Sequence, residues 1–426
     1  MIHSNNLKLF KGVNKIKIDN YLKIIYQQIN RYSNEIHGRK KIAIFSPSKY
    51  GLGHFHQSDI LNRRINEKLS NYCLSLHLTD LTPSKKVPEN TIKIPNYSDI
   101  LWSNIVNLEE KKVRLNKEQL SFIRKDILKK FIDLFSPDII LFDYYPFIHS
   151  NEIFSEFYKT IAYWKKENSH GRLICLYRGI LGYNSERMEP GYRERVIKTM
   201  KKQIDFVFIL ADPDERFFIR EELWFLNKEF YKFKYLGYIT DIKQCDPPNK
   251  KQIICQVGGG IDGDKLIEIF CKCMKIIEQI DDSVIGIVIL GPTFPEKRKK
   301  QILEDYKNVK TLIFKPGVDE LYPVLKKSDL IISMGGYNSV VEAANLEIPS
   351  IIVPREKEIK HEQYLNAMRF YQYGLIDEII EMERLEVKNL LPSIFRYIYK
   401  KEVKPIKMCG LDSIIDEICT IWNIVL

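Results

Sequence analysis

SDLIISMGGYNSVVEAANLEIPSIIVP, residues 328–354, decides the fold. Its two apolar runs, 329–333 and 349–353, are continuous rather than alternating, the pattern of strands covered on both faces. Between them lie a glycine pair and a stretch with helical spacing. Two strands joined through a helix run parallel, because a tight turn can only connect antiparallel neighbours.

The same alternation extends in both directions. Downstream of a break it includes QIICQV (252–257), VIGIVIL (284–290) and VKTLIF (309–314), each followed by helical spacing. Upstream it includes KIAIF (41–45), CLSLHL (73–78), DIILF (138–142), RLICLY (172–177) and DFVFIL (205–210). The break is TDIKQCDPPNK, where Pro247-Pro248 and polar neighbours interrupt both periods. The spacing predicts an α/β protein of two Rossmann-like, doubly wound domains facing a cleft. The expected division is an N-terminal helical extension at 1–38, a first domain at 39–240, a linker at 241–249, a second domain at 250–405 and a closing helix at 406–426. The extension carries an amphipathic candidate from Tyr21 to Ile36, with Leu22, Ile24, Ile25 and Ile29 at helical spacing.

Composition narrows the class. The 426 residues are 45% hydrophobic and 28% charged, which supports a sizeable core and excludes a disordered chain. The balance of 66 Lys+Arg against 55 Asp+Glu, net +11, favours anionic partners. No segment concentrates that charge with interleaved aromatics, so nucleic acid is not expected as a partner. No run nears the roughly 18 apolar residues of a membrane span, and the N-terminus lacks a signal core, so a cytoplasmic protein is expected. The eight cysteines read as buried free thiols, without metal-site spacing.

Four segments carry candidate chemistry. SPSKYGLGHFHQ (46–57) puts Gly51, Gly53 and His54 on a strand-to-helix turn at the carboxyl edge of a parallel sheet, where ligands bind. QVGGGIDGDKL (256–266) lines a second such turn with the amides of Gly258, Gly259 and Gly260, ahead of a helix N-terminus that favours an anion. In the opening stretch, Gly335, Gly336, Asn338 and Ser339 offer donors to phosphate, and Glu342, one turn on, offers a carboxylate to ribose hydroxyls. In REKEIKHEQYLNAMRFYQYGLIDEI (355–379), Glu362 and Gln363 begin a helix whose apolar face reads as Leu365, Met368, Tyr371 and Leu375. A carboxylate and an amide side by side can read sugar hydroxyls.

Together these residues resemble the glycosyltransferase B-fold, in the branch that holds the peptidoglycan N-acetylglucosaminyltransferase (MurG-like, family 28) and a set of predicted bacterial glycosyltransferases. The marks are GLGH (51–54), PDIILFDYYPF (137–147), YRGIL (177–181), YLGYIT (235–240), VGGG (257–260), the 333–354 segment and HEQYLNA (361–367), in that order. The resemblance implies a nucleotide-sugar donor, UDP-linked, held by the second domain, with an acceptor entering from the first. It assigns Glu342 to ribose, Gly336 and Ser339 to phosphate, Val318 to the base, Glu362 and Gln363 to the donor sugar, and His54 to the reaction centre. It implies no cofactor and no metal beyond the substrate, since glycine amides at 258–260 and 335–336 can meet the departing diphosphate.

His54 is then the candidate base, with Asp143 as competing base or orienting partner. Gly51, Gly53, His56 and Arg178 fall on the acceptor side. His56-Gln57 stands where the predicted transferases often carry two arginines, so the acceptor is not specified. A nucleotide-sugar hydrolase, an epimerase on the same fold and a non-catalytic nucleotide-sugar-binding accessory protein are the alternatives. The positive balance and apolar residues near 97–128 allow peripheral contact with the inner face of a membrane.

Overall fold

Hydrophobic runs four to seven residues long become the inner strands of two parallel sheets. The computed structural model describes residues 15–35, 38–47, 53–80, 87–96, 115–148, 150–178, 191–240, 251–258, 263–291, 294–315, 324–325, 327–355, 361–400 and 409–424. The first lobe contains α1 (Lys15–Asn34), β1 (Lys40–Ser46), α2 (Gly53–Lys68), β2 (Cys73–Thr79), β3 (Thr91–Lys93), α3 (Lys117–Phe135) and β4 (Ile139–Asp143). It continues with α4 (Asn151–Glu167), β5 (Arg172–Tyr177), α5 (Tyr192–Lys202), β6 (Phe206–Ile209), α6 (Arg216–Glu222) and β7 (Phe233–Tyr235). The second lobe contains β8 (Gln252–Gln256), α7 (Asp264–Ile280), β9 (Ile285–Ile289), α8 (Glu296–Asp305), β10 (Leu312–Lys315) and β11 (Leu330–Ser333). After these come α9 (Tyr337–Asn345), β12 (Ser350–Ile352), α10 (His361–Gln372), β13 (Glu378–Ile379), α11 (Val387–Tyr397) and α12 (Gly410–Trp422).

The first sheet runs β3-β2-β1-β4-β5-β6-β7 and the second β10-β9-β8-β11-β12-β13, with every pairing parallel. Each order reverses once, between β1 and β4 in the first sheet and between β8 and β11 in the second. These are the switch points at which doubly wound sheets open a crevice.

Three features differ from the sequence-based expectation. Strands β3, β7 and β13 are additional, and all three lie at sheet edges. Helix α1 begins six residues before Tyr21 and is a built-in layer of the first lobe: Ile18, Leu22, Ile25 and Ile29 are buried in the core that holds Ile127 and Phe131 of α3. Ile24, on its other face, is exposed. Of the apolar residues near 97–128, those from 115 onward include Leu120, Ile123, Ile127 and Leu128, which are buried in that core rather than displayed to a membrane. Residues 97–114 and the linker at 241–249 lie outside the described residues. No described helix is long and apolar enough to cross a membrane. Among the cysteines, Cys409 is exposed rather than buried, and Cys245 is outside the described residues.

Helix α12 follows the second lobe in the chain but packs on the first. Ile414, Ile415 and Ile418 share a core with Ile42 and Ile44 of β1 and with Leu61 and Ile65 of α2. Arg64 pairs with Asp412 at 2.9 Å, and Lys234 pairs with Glu417. The lobes also share an aromatic seam in which Tyr238, Tyr337 and Phe370 lie 6.1–6.4 Å apart, centroid to centroid.

The start of α12 meets the end of the first lobe's main segment where the Gly410 N–H donates to the Tyr238 carbonyl at 3.0 Å. A Cβ on Gly410 would stand 2.6 Å from the carbonyl oxygens of both Gly237 and Tyr238. Backbone cannot yield as a flexible side chain can, so Gly410→Ala is expected to lower the free energy of unfolding by about 1–3 kcal/mol, measured by urea denaturation. An unchanged midpoint would mean that the crossing is looser than its distances indicate.

Candidate active site at the facing switch points

The sequence puts a histidine one residue into α2, after β1, and an aspartate at the end of β4. These are the two strands that flank the first switch point. The His54 Nδ1 lies 2.8 Å from Asp143 Oδ2, with the His54 side chain 25% exposed and that of Asp143 2%. With Nδ1 assigned as the donor to the carboxylate, Nε2 is left as an acceptor. Burial alone would raise the pKa of Asp143, but His54, Arg178 and His77 outweigh it and hold the carboxyl below its usual range. Tyr144, in a left-handed backbone conformation at φ 65°, sets its ring against His54 at 5.6 Å and stacks on Tyr177 at 5.9 Å. The imidazole is thus held both by a charge and by an aromatic wall.

The second switch point is made of glycine turns. Gly258, after β8, has φ 58°, and Gly335, after β11, has φ 72°. A Cβ on Gly335 would also meet Ile352 Cγ2 at 2.7 Å, so conformation and space both demand glycine there. Gly336 caps α9, and the nearest atom to a Cβ placed on it is Ser339 Oγ at 3.9 Å, so this side of the turn is open. The first turn of α9 carries no acidic side chain to offset its N–H groups. Ser339 is half-buried and Glu342 is buried on the same helix. The Gln363 backbone carbonyl lies 3.8 Å from the Gly335 Cβ position, so α10 begins beside the turn. The Gln363 Oε1 accepts from the Arg355 N–H at 3.4 Å. Gly51, Gly259, Gly260 and Val318 lie outside the described residues, as does the side chain of Glu362.

Two of the expected site residues meet between the lobes. Asn338, expected at phosphate, donates its Nδ2 to the Gly53 carbonyl of the first lobe at 3.2 Å. Gly53 in turn is the first residue of α2, and a Cβ there would meet Arg178 Nη1 at 3.3 Å and Asn338 Nδ2 at 3.6 Å. Arg178, expected on the acceptor side, therefore lies at the contact between lobes, with its guanidinium 5.9 Å from the Tyr337 ring centroid. His56 is half-buried on α2. On α10 the buried positions are Asn366, Ala367, Arg369 and Phe370, while Tyr371, expected on the apolar face, is exposed. Sequence reasoning missed Tyr337 and Gln57 as contacts of Arg178. Their only local signal is position, near the starts of two helices that follow strands.

Residues 253–408 match the model of the glycosyltransferase family 28 C-terminal domain. The chain is 30% identical over 208 residues to the UDP-N-acetylglucosamine--N-acetylmuramyl-(pentapeptide) pyrophosphoryl-undecaprenol N-acetylglucosamine transferase of Clostridium tetani (strain Massachusetts / E88). That match covers 46% of this chain and 52% of the relative, so the chain spans about half the length of the curated relatives it matches. Among solved structures, Acinetobacter baumannii MurG superposes with a TM-score of 0.51 at 12% identity, covering 89% of this chain and 99% of that one. The UDP-GlcNAc 2-epimerase of Neisseria meningitidis bound to UDP-GlcNAc superposes with a TM-score of 0.53 at 12% identity, with the same coverage. The chain has the two-lobed GT-B fold, and its second lobe is similar to the family 28 domain.

A further polar residue lies on the far side of β1. His77 interrupts the apolar run of β2, fully buried, with Nε2 2.5 Å from Ser46 Oγ. Burial pushes its pKa down to about 3, against a smaller opposing attraction from Asp143. The folded protein holds His77 neutral while the unfolded chain takes up a proton below about pH 6.5. Stability from this group is thus present above that pH and lost as the pH falls toward 3, at about 1.4 kcal/mol per pH unit. Wild type is expected to lose about 2 kcal/mol between pH 7 and pH 5 through His77. Urea denaturation of His77→Gln should show a correspondingly flatter acid limb. Identical slopes for the two proteins would refute the linkage.

Proposed function

We propose that this chain is a glycosyltransferase that moves a sugar, a hexose or N-acetylhexosamine, from a UDP-type nucleotide sugar to a hydroxyl acceptor without a metal ion. The observation that carries the reading is the juxtaposition of the two switch points. The His54–Asp143 pair of one lobe stands opposite the Gly335-Gly336 turn of the other, with the Asn338 to Gly53 hydrogen bond at 3.2 Å spanning the gap. The family 28 match over 253–408 supports a donor site in the second lobe.

On this reading the acceptor oxygen attacks the anomeric carbon and its proton passes to His54 Nε2. The bond from the anomeric carbon to the β-phosphate oxygen breaks, and its electron pair leaves with the diphosphate. Asp143, kept ionised by its surroundings, stabilises the imidazolium that forms. The amides of Gly335 and Gly336 and the N-terminus of α9 meet the diphosphate, as do the amides of Gly258, Gly259 and Gly260. Glu342 takes the ribose hydroxyls, Val318 the base, and Glu362 and Gln363 the donor sugar. The reading puts the protein in the cytoplasm, and its net charge of +11 suits an acceptor carried at an anionic membrane surface.

Isothermal titration with UDP tests the donor site. Glu342→Ala is expected to bind roughly tenfold more weakly, and His54→Ala nearly as wild type. UDP release from UDP-sugars over a panel of hydroxyl acceptors should fall roughly 10²- to 10⁴-fold in His54→Ala. Wild-type protein that binds no UDP, or a Glu342→Ala variant with full affinity, would sink the assignment.

A further inference from the structure

We propose that Arg178, a side chain of the first lobe, is a catalytic residue on the donor side: it grips the β-phosphate of the nucleotide sugar from across the cleft. The inference rests on the reading that a nucleotide sugar lies at the N-terminal turn of α9.

Arg178 directly follows β5, whose neighbour β4 ends in Asp143. Its guanidinium is boxed by three residues from the starts of two helices. Gly53, at the start of α2, leaves it room, since a Cβ there would be 3.3 Å from Nη1. The Tyr337 ring, at the start of α9, lies 5.9 Å below it, and Asn338 Nδ2 is 3.6 Å from the same Gly53 Cβ position. The guanidinium is therefore within a few ångströms of the second-lobe turn, although it belongs to the other lobe.

Its donors are underused. Its one hydrogen bond among the described residues is Nη1 to Gln57 Oε1 at 3.5 Å, the outer limit for such a bond. No described carboxylate lies within ion-pair distance of it. Asp143 attracts it at longer range only, and Oδ2 of that carboxylate is taken by His54. A planar group with five N–H donors, one long bond and no close counter-ion suits a bidentate oxyanion such as a terminal phosphate.

The charge balance of the reaction supports the same assignment. Transfer creates two charges, an imidazolium at His54 and an added negative charge on the departing β-phosphate. Asp143 answers the first and Arg178 the second, from the carboxyl ends of adjacent strands. An interaction that strengthens as charge develops lowers the barrier more than it tightens ground-state binding.

The test is titration of wild type, Arg178→Gln and Arg178→Lys with UDP and with UMP, which lacks the β-phosphate. Arg178→Gln is expected to lose roughly ten- to a hundredfold in UDP affinity, with UMP affinity and melting temperature nearly unchanged. Arg178→Lys, which keeps the charge but not the fork, should fall between. In turnover of UDP-sugars, kcat should drop further than the donor KM rises. Equal losses for UDP and UMP would make Arg178 a lobe-positioning residue, and full UDP affinity with a raised acceptor KM would return it to the acceptor side; either result overturns the proposal. If wild type itself binds neither nucleotide, the donor-site reading fails first, and the proposal falls with it.

Discussion

A parallel sheet has a direction, and the rest of this molecule depends on that constraint. Every strand ends at the same edge, so every following helix begins there and points its free N–H groups the same way. In the first lobe that edge collects His54, Asp143 and Arg178, from loci far apart in sequence. In the second it collects Gly258, Gly335 and Gly336. The two edges meet because an aromatic seam of Tyr238, Tyr337 and Phe370 and the return of α12 set one lobe against the other.

Charge is distributed around this meeting point with little cancellation. Asp143 is buried, yet its carboxyl is held below its usual range because the His54 hydrogen bond and the Arg178 guanidinium outweigh the cost of burial. Elsewhere the first lobe treats buried charge differently. Arg124 is fully enclosed and donates to Glu156 at 2.9–3.2 Å and to Asp80 at 3.2 Å, tying α3 and α4 to the end of β2. Those ions are mutually satisfied, and removing one partner of such a cluster commonly costs about 3–5 kcal/mol. The contrast is with the Arg178 guanidinium, whose one hydrogen bond among the described residues is 3.5 Å long.

The sequence was most legible where burial is complete. Inner strands such as KIAIF and DIILF announce themselves because both faces are covered, which demands an unbroken apolar run. The edge strands Thr91–Lys93, Phe233–Tyr235 and Glu378–Ile379 pair on one side only and are two or three residues long, too short for any period to register. On the expected face of α10, Leu375 is buried and Leu365 and Met368 half-buried, but Tyr371 is exposed; Phe370, against Tyr238 and Tyr337, is buried in its place. At the site, the glycine turns, His54 and Asp143 were readable because they abut strand ends. The contact of Asn338 with Gly53 was not, since 285 residues separate the two and nothing local encodes which helix start will face which.

The placement of α12 has a consequence for biosynthesis. The first lobe is discontinuous: one side of its sheet is sealed by Ile414, Ile415 and Ile418, which are translated only after the whole of the second lobe. While the ribosome is making β8 to α11, part of the surface around β1 and α2 that these residues cover stays wet, and a nascent chain in that condition is open to wrong partners. The two halves are thus not independent folding units joined by a tether. The leading half reaches its mature packing only when the trailing half has been made and its final helix has crossed back.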